Sequence, residues 1–159
     1  MRIAIVCTGK LKERYLRDAA EEYQKRISRY AELDVLETPD EPVPERYSEA
    51  QRVQAVGREG ERMLKEIGPR EFVAALSITG RRHTSETFAK SMEAWMAGGF
   101  TRISFVIGGS LGLSPAVLSR ADAQLSLSDL TFPHQLARVV LLEQIYRAFK
   151  IISNEPYHK

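Results

Sequence analysis

Cysteine is almost absent: Cys7 is the only one in 159 residues. A lone thiol closes no internal disulfide, which fits a reducing cytoplasm. Two readings stand for Cys7, a buried small residue or a catalytic thiol, and burial is favoured because cysteine is often buried and inert. Long apolar runs are missing too. No segment reaches the roughly 20 residues needed to span a bilayer. Met1-Arg-Ile-Ala-Ile-Val-Cys7 is too short for a signal peptide, so none is expected. Charge excess of one sign is also lacking. A formal net charge of +2 excludes a histone-like polycation, so any nucleic-acid contact must come from a local patch. There is no repeat and no low-complexity tract. The three histidines, His83, His134 and His158, lie far apart without a cysteine or histidine neighbour, so no metal site is expected. No Gly-x-Ser-x-Gly elbow, dinucleotide fingerprint or Walker loop occurs.

What is present is an alternation of strand and helix patterns. Residues 2–7 read as a strand, Thr8-Gly9-Lys10 as a turn, and 12–30 as an amphipathic helix with Leu16, Ala19, Ala20, Tyr23 and Ile27 on its apolar face. A short strand over 33–37 follows. Three prolines make residues 38–45 a loop. Ser48 caps a helix over 49–67, with Gln51 as capping-box partner. Gly57 and Gly60 weaken that helix by about 1 kcal/mol each, and mark either close packing or a mobile segment. Strands are expected at 72–77, 103–107 and 123–127, a loop at 79–83, and helices from Ser85, from Ser114-Pro115 and over 133–152. This order argues for one α/β domain over residues 1–159, a mostly parallel sheet flanked by helices.

Two segments carry the chemistry. Phe105-Val-Ile-Gly-Gly-Ser-Leu-Gly112 is a buried strand stopping on glycines, although a plain glycine turn reads equally well. Leu125-Ser-Leu-Ser-Asp-Leu-Thr-Phe-Pro-His134 is a short strand, a polar loop and a helix start, with proline placed where its missing N–H does no harm. Strand-end loops of this kind form ligand sites in open α/β sheets. The last helix has a broad apolar stripe (Ala137, Leu141, Leu142, Ile145, Tyr146, Phe149, Ile152) and a second strip of Leu136, Val140 and Ile151. It is either a central core helix or, the favoured reading, a helix packed on the sheet by one side and on a second subunit by the other. Arg138 falls on the apolar stripe and should meet a carboxylate, phosphate or backbone acceptors, since a guanidinium is rarely buried unpaired.

Val73-Ala-Ala-Leu-Ser-Ile-Thr-Gly-Arg81, the two segments above, Arg138-Val-Val-Leu-Leu-Glu-Gln-Ile-Tyr-Arg-Ala148 and the terminal Tyr157-His-Lys159 together resemble the bacterial large-subunit rRNA pseudouridine N3-methyltransferases of the SPOUT superfamily. The resemblance covers essentially the full length. It implies a SPOUT-type fold with a C-terminal trefoil knot over about residues 72–159, which general chain-connectivity rules would exclude. It also implies a homodimer, S-adenosylmethionine as cofactor, and a pseudouridine of large-subunit rRNA in the assembled ribosome as substrate. By motif match Leu76, Gly108, Leu127, Ser128, Asp129, Leu130, Thr131 and Phe132 should contact the cofactor. Glycine lets a ligand approach the backbone, and strand-end backbone groups can bind an adenine edge.

Transfer to N3 requires alignment and loss of the ring proton. Candidates for that chemistry are His134, Glu143, Arg147, His158 and Lys159, the arginine stabilising negative charge rather than accepting a proton. His134 reads equally well as a helix-cap residue, and Glu143 with Arg147 as a surface pair. Lys10, Lys12, Arg14, Arg17, Arg81, Arg82 and His83 contact phosphates or simply form a solvated charged face. The competing function is a non-catalytic ribosome-binding or assembly factor with the same fold. A nucleotide-binding α/β protein of other function is a third reading, weakened by the missing phosphate motifs.

Overall fold

The computed structural model describes residues 1–159. Five strands, β1 (Arg2–Thr8), β2 (Glu32–Thr38), β3 (Phe72–Arg82), β4 (Ile103–Ile107) and β5 (Ala123–Ser126), alternate with five helices. The helices are α1 (Arg14–Ile27), α2 (Glu49–Lys65), α3 (Ser85–Ala97), α4 (Pro115–Arg120) and α5 (His134–Ile152). The sheet order is β2-β1-β4-β3-β5 and every pairing is parallel.

A parallel sheet needs cover on both faces, and the strand sequences show it. Ile3, Ile5, Ala74, Ile103, Phe105 and Ile107 point to the layer of α1, α3 and α5. Their alternates Ala4, Val6, Val73 and Val106 meet Met63 of α2 and Val117 of α4 on the other face. The two-residue period of a strand thus divides β1 and β4 between two cores, and both central strands are almost wholly buried. No helix is long and apolar enough to cross a membrane.

Several element boundaries differ from the expected ones. The first helix is confined to Arg14–Ile27, so Lys12 stays in the loop. Ser48 and Gln51 do form the reciprocal capping box. A second box, Thr84 with Thr87, sets the start of α3 at Ser85. Gly60 marks close packing: a Cβ there would run into the Ser114 hydroxyl that caps α4. Nothing lies within 4 Å of a Cβ at Gly57.

The main correction concerns residues 79–83. The expected loop is largely strand, because β3 continues to Arg82 after an irregularity. Both Leu76 and Arg81 pair with Leu125, so the intervening residues bulge out and return to the same point on β5. A Cβ on Gly80 would lie 2.6 Å from the Leu125 carbonyl carbon, so only glycine passes there. Arg81 and Arg82 therefore belong to a paired strand rather than a free loop.

Candidate functional site

The bulge of β3 and the carboxyl ends of β4 and β5 surround a cavity of about 170 Å³. Leu76 reaches it from the middle of β3, where the bulge begins, Gly108 from just past β4, and Leu127, Ser128, Leu130, Thr131 and Phe132 from the segment after β5. Seven of the eight expected cofactor residues thus converge on one cavity. Asp129 is the exception: its side chain accepts a 2.6 Å bond from Arg82 and lies largely in solvent. The lining is mostly apolar on its side chains, with Ile107, Leu125 and Ala137 behind the loops.

The polar capacity of the cavity is in its backbone. No N–H or C=O from Leu127 to Phe132 bonds to another backbone group. Local side chains take only two of them: Ser126 Oγ donates to the Ser128 carbonyl at 3.1 Å, and the Leu130 N–H donates to Ser128 Oγ at 3.0 Å. These residues are exposed or half-buried, so their backbone groups meet solvent and remain available to a ligand as donors and acceptors. Apolar walls with convergent polar backbone suit a purine edge.

Gly108 is needed for a reason the sequence does not reveal. A Cβ there would lie 2.6 Å from the carbonyl carbon and oxygen of Gly112, across the turn closed by Gly112 N–H and Gly109 O. The absent side chain first lets the loop fold onto itself. Gly112 completes the turn at φ +84°.

His134 stands at the boundary between this cavity and a second, polar cleft. It is the first residue of α5 and makes no side-chain cap bond; Pro133 occupies the cap position. Burial, helped by the Arg138 charge, holds its pKa below the usual imidazole value, so the ring is neutral at pH 7. One turn on, Arg138 is 3% exposed and donates at 2.8 Å both to Glu37 Oε2 and to the Gly9 carbonyl. The stripe-facing guanidinium has thus found a carboxylate and a backbone acceptor.

Arg147, His158 and Lys159 lie elsewhere, and none lines the cavity of the same chain. After Asn154, at φ 53°, the tail turns back over α5. Tyr157 packs edge-on to Tyr146 at 4.8 Å and donates to Glu143 Oε1 at 3.0 Å. Burial and that carboxylate push the phenol up to about 12. Arg147 donates from Nε to Glu143 Oε1 at 3.0 Å and stacks on the Tyr157 ring. His158 bridges Arg147 and Glu86, the latter at 2.8 Å. Lys159 is exposed and makes no hydrogen bond or ion pair. The structure therefore divides the expected residues into two groups: His134 with the cavity, and Arg147 with His158 in a cluster on the outer side of α5.

Two contributors were not foreseen. Glu86 anchors the tail, but an acid in a helix's first turn is ordinary and gives no signal in one dimension. Glu59 lines the polar cleft and is 4% exposed. Its signal was available: it falls with Ala55, Val56 and Met63 on the buried stripe of α2, an acid at helical spacing among apolar residues.

Comparison with known proteins agrees with this architecture. The family described as "Predicted SPOUT methyltransferase" matches residues 1–158. The chain is 57% identical to a protein of Bifidobacterium animalis subsp. lactis, and 53% to one of Limosilactobacillus reuteri, both named "Ribosomal RNA large subunit methyltransferase H". Each match covers all of both chains. Among solved structures, a probable methyltransferase from Bordetella pertussis superposes with a TM-score of 0.55 at 15% identity, over 92% of this chain and 95% of that one. A probable methylase family protein from Haemophilus influenzae gives 0.54 at 16%, over 99% of this chain and 70% of that one. At that identity the structures share the fold. The full-length family match and the relatives above half identity establish that the chain belongs to the SPOUT methyltransferase family.

Proposed function

We propose that the protein is an S-adenosylmethionine-dependent methyltransferase acting on N3 of a pseudouridine in large-subunit rRNA, on the assembled ribosome in the cytoplasm. The observation that carries the cofactor is the free backbone of Leu127–Phe132 facing an apolar cavity, which fits an adenine edge and a ribose. Leu76 and Phe132 would hold the adenosine by apolar contact, with the free backbone groups of the Leu127–Phe132 run reading the base. When bound, the cofactor supplies an electrophilic methyl group on a positively charged sulfur.

The chain's own residues then have separable tasks. His134, neutral at pH 7, can take the N3 proton on a ring nitrogen as the base is aligned. Arg147 and Lys159 offer positive charge to a base that turns anionic on losing that proton. His158 and Tyr157 would hold the RNA base. The separation of the tail cluster from the cavity within one chain supports a homodimer in which each tail serves the partner's cavity. So does the second apolar strip of α5, where Leu136 remains 38% exposed. A symmetric dimer is the commonest oligomer. The reading includes a trefoil knot over about residues 72–159, which rests on the SPOUT family membership. The net charge of +2 supports a substrate presented by the ribosome rather than naked RNA.

The experiment is mass mapping of 23S rRNA from a strain lacking the gene, with purified ribosomes and labelled cofactor to restore the mark. One missing methyl group at a pseudouridine, restored by the protein, is expected. Unchanged rRNA together with undiminished ribosome binding would make the protein a non-catalytic factor. Light scattering showing a monomer at micromolar concentration would remove the dimer.

A further inference from the structure

The second cleft lies on the other side of the β4 loop from the cavity, over the carboxyl ends of β1 and β2. Its size is about 570 Å³, and none of its fourteen lining residues is hydrophobic. It meets the cavity at Gly109 and His134, which line both. Its lining is dominated by charged and polar side chains, with the Pro39 ring and the His134 imidazole as the exceptions.

Its charges divide into those already satisfied and those that are free. Glu37 is neutralised by Arg138, and Glu41 by Arg58 and Arg62. Neither Asp40 nor Glu59 has an ion-pair partner, and the same holds for Lys10 and Lys12 across the cleft. Glu59 is the unusual member. One oxygen accepts the Glu41 N–H at 3.0 Å, while Oε2 is buried and has no partner at all. Oε2 sits beneath Gly109, 3.7 Å from where a Cβ on that residue would be. An unpaired buried carboxyl oxygen is costly, so a donor brought by a ligand would be favoured there. Burial raises the Glu59 pKa, as expected of a carboxyl waiting for a donor.

We infer that this cleft is a subsite for a zwitterionic α-amino-acid group, with Glu59 and Asp40 facing its ammonium and Lys10 and Lys12 its carboxylate. Two free acids and two free bases balance such a group and no other common charge type. A phosphate would face Glu59 and Asp40, and a simple cation would face the lysines. No group of three or more potential metal ligands is assembled in the protein. The inference rests on the cofactor reading above, because S-adenosylmethionine carries its amino-acid end just beyond the sulfur. With adenosine in the apolar cavity, Gly109 and His134 would flank the link between its ribose and its amino-acid end, since both line the two spaces.

The test is calorimetric and independent of turnover. S-adenosylmethionine and methylthioadenosine, which lacks the amino-acid end, are titrated into the wild-type protein and into Glu59→Gln and Lys12→Met. The wild type should bind S-adenosylmethionine more tightly. Each variant should lose about tenfold or more of that affinity, the scale of one charged hydrogen bond, while methylthioadenosine binding stays unchanged. Lys12 is an exposed rim residue, so its variant keeps the test valid if Glu59→Gln unfolds. Equal wild-type affinity for the two ligands, or equal loss of both in the variants, overturns the subsite and leaves the cofactor reading standing. Binding of neither ligand to the wild type overturns both.

Discussion

Arg138 couples the last helix to the first turn, and its removal should be expensive. In Arg138→Met the stem is replaced by an apolar chain of similar reach, so little packing is lost. What disappears is a charged hydrogen bond to Glu37 and the sole donor seen on the Gly9 carbonyl, each 2.8 Å long. Breaking a fully buried ion pair typically costs about 3–5 kcal/mol. Glu37 keeps 32% of its side chain exposed and can rehydrate, which moves the expectation to the lower end, about 3 kcal/mol. For a chain of this size that corresponds to a fall in Tm of roughly 6–12 °C. Urea unfolding at fixed protein concentration reads the difference. Arg138→Lys should fall between the parent and the methionine variant, because an ammonium lacks the planar fork that reaches both acceptors. Adding Glu37→Gln to Arg138→Met should recover part of the loss by removing the stranded charge. A methionine variant within about 0.5 kcal/mol of the parent, the range of ordinary surface substitutions, would refute the assignment of Arg138 as a structural tie.

Cys7 is 1% exposed, and burial pushes its thiol up to about 11 against the opposing pull of Arg138. Ellman's reagent at pH 8 should therefore find no reactive thiol in the native protein and one per chain in denaturant, and rapid native labelling would reopen the catalytic-thiol reading. Glu86 is held down at about 2, chiefly by its bond to His158. A depressed acid contributes its stability above the ordinary carboxylate pKa and loses it as pH falls toward the folded value. Glu86→Gln should accordingly flatten the acid limb of a stability profile between pH 4.5 and 2, and an unaltered limb would deny the contact a role. Deleting Tyr157 to Lys159 should abolish methylation of ribosomes while leaving S-adenosylmethionine binding intact. The loss of the Tyr157 contacts to Glu143 and Tyr146 should cost about 1–2 kcal/mol of stability, and normal methylation by the truncated chain would make the tail a mere end.

The layer architecture was legible because strand and helix periods are local. The alternation of Ile3, Ala4, Ile5 and Val6 is apolar at every position, which already says that both faces of β1 are covered. Strand order was not legible. Nothing in residues 123–126 says that β5 pairs with β3 rather than with its predecessor β4, since that choice is made by packing across the whole sheet. The expected loop at 79–83 shows the same limit. Thr79-Gly80 reads as a turn by composition, yet the glycine is there so that one strand can pass close over another.

Gly108 shows how a residue can be placed in a site for an incomplete reason. The expectation was that it lets a ligand near the backbone. The structure shows that the space a side chain would take is already filled by Gly112, so the loop needs the glycine before any ligand arrives. Both roles converge physically, because a loop folded tightly on itself is what leaves Gly109 exposed to the cavity on one side and the polar cleft on the other. A β4 loop widened by a side chain at residue 108 would disturb both lobes of the site at once. Spacing in the sequence could indicate that a glycine mattered at the end of β4. Only the three-dimensional turn reveals that the glycine builds the wall between two chemically different compartments, one mostly apolar on its side chains and one lined chiefly by charged and polar groups.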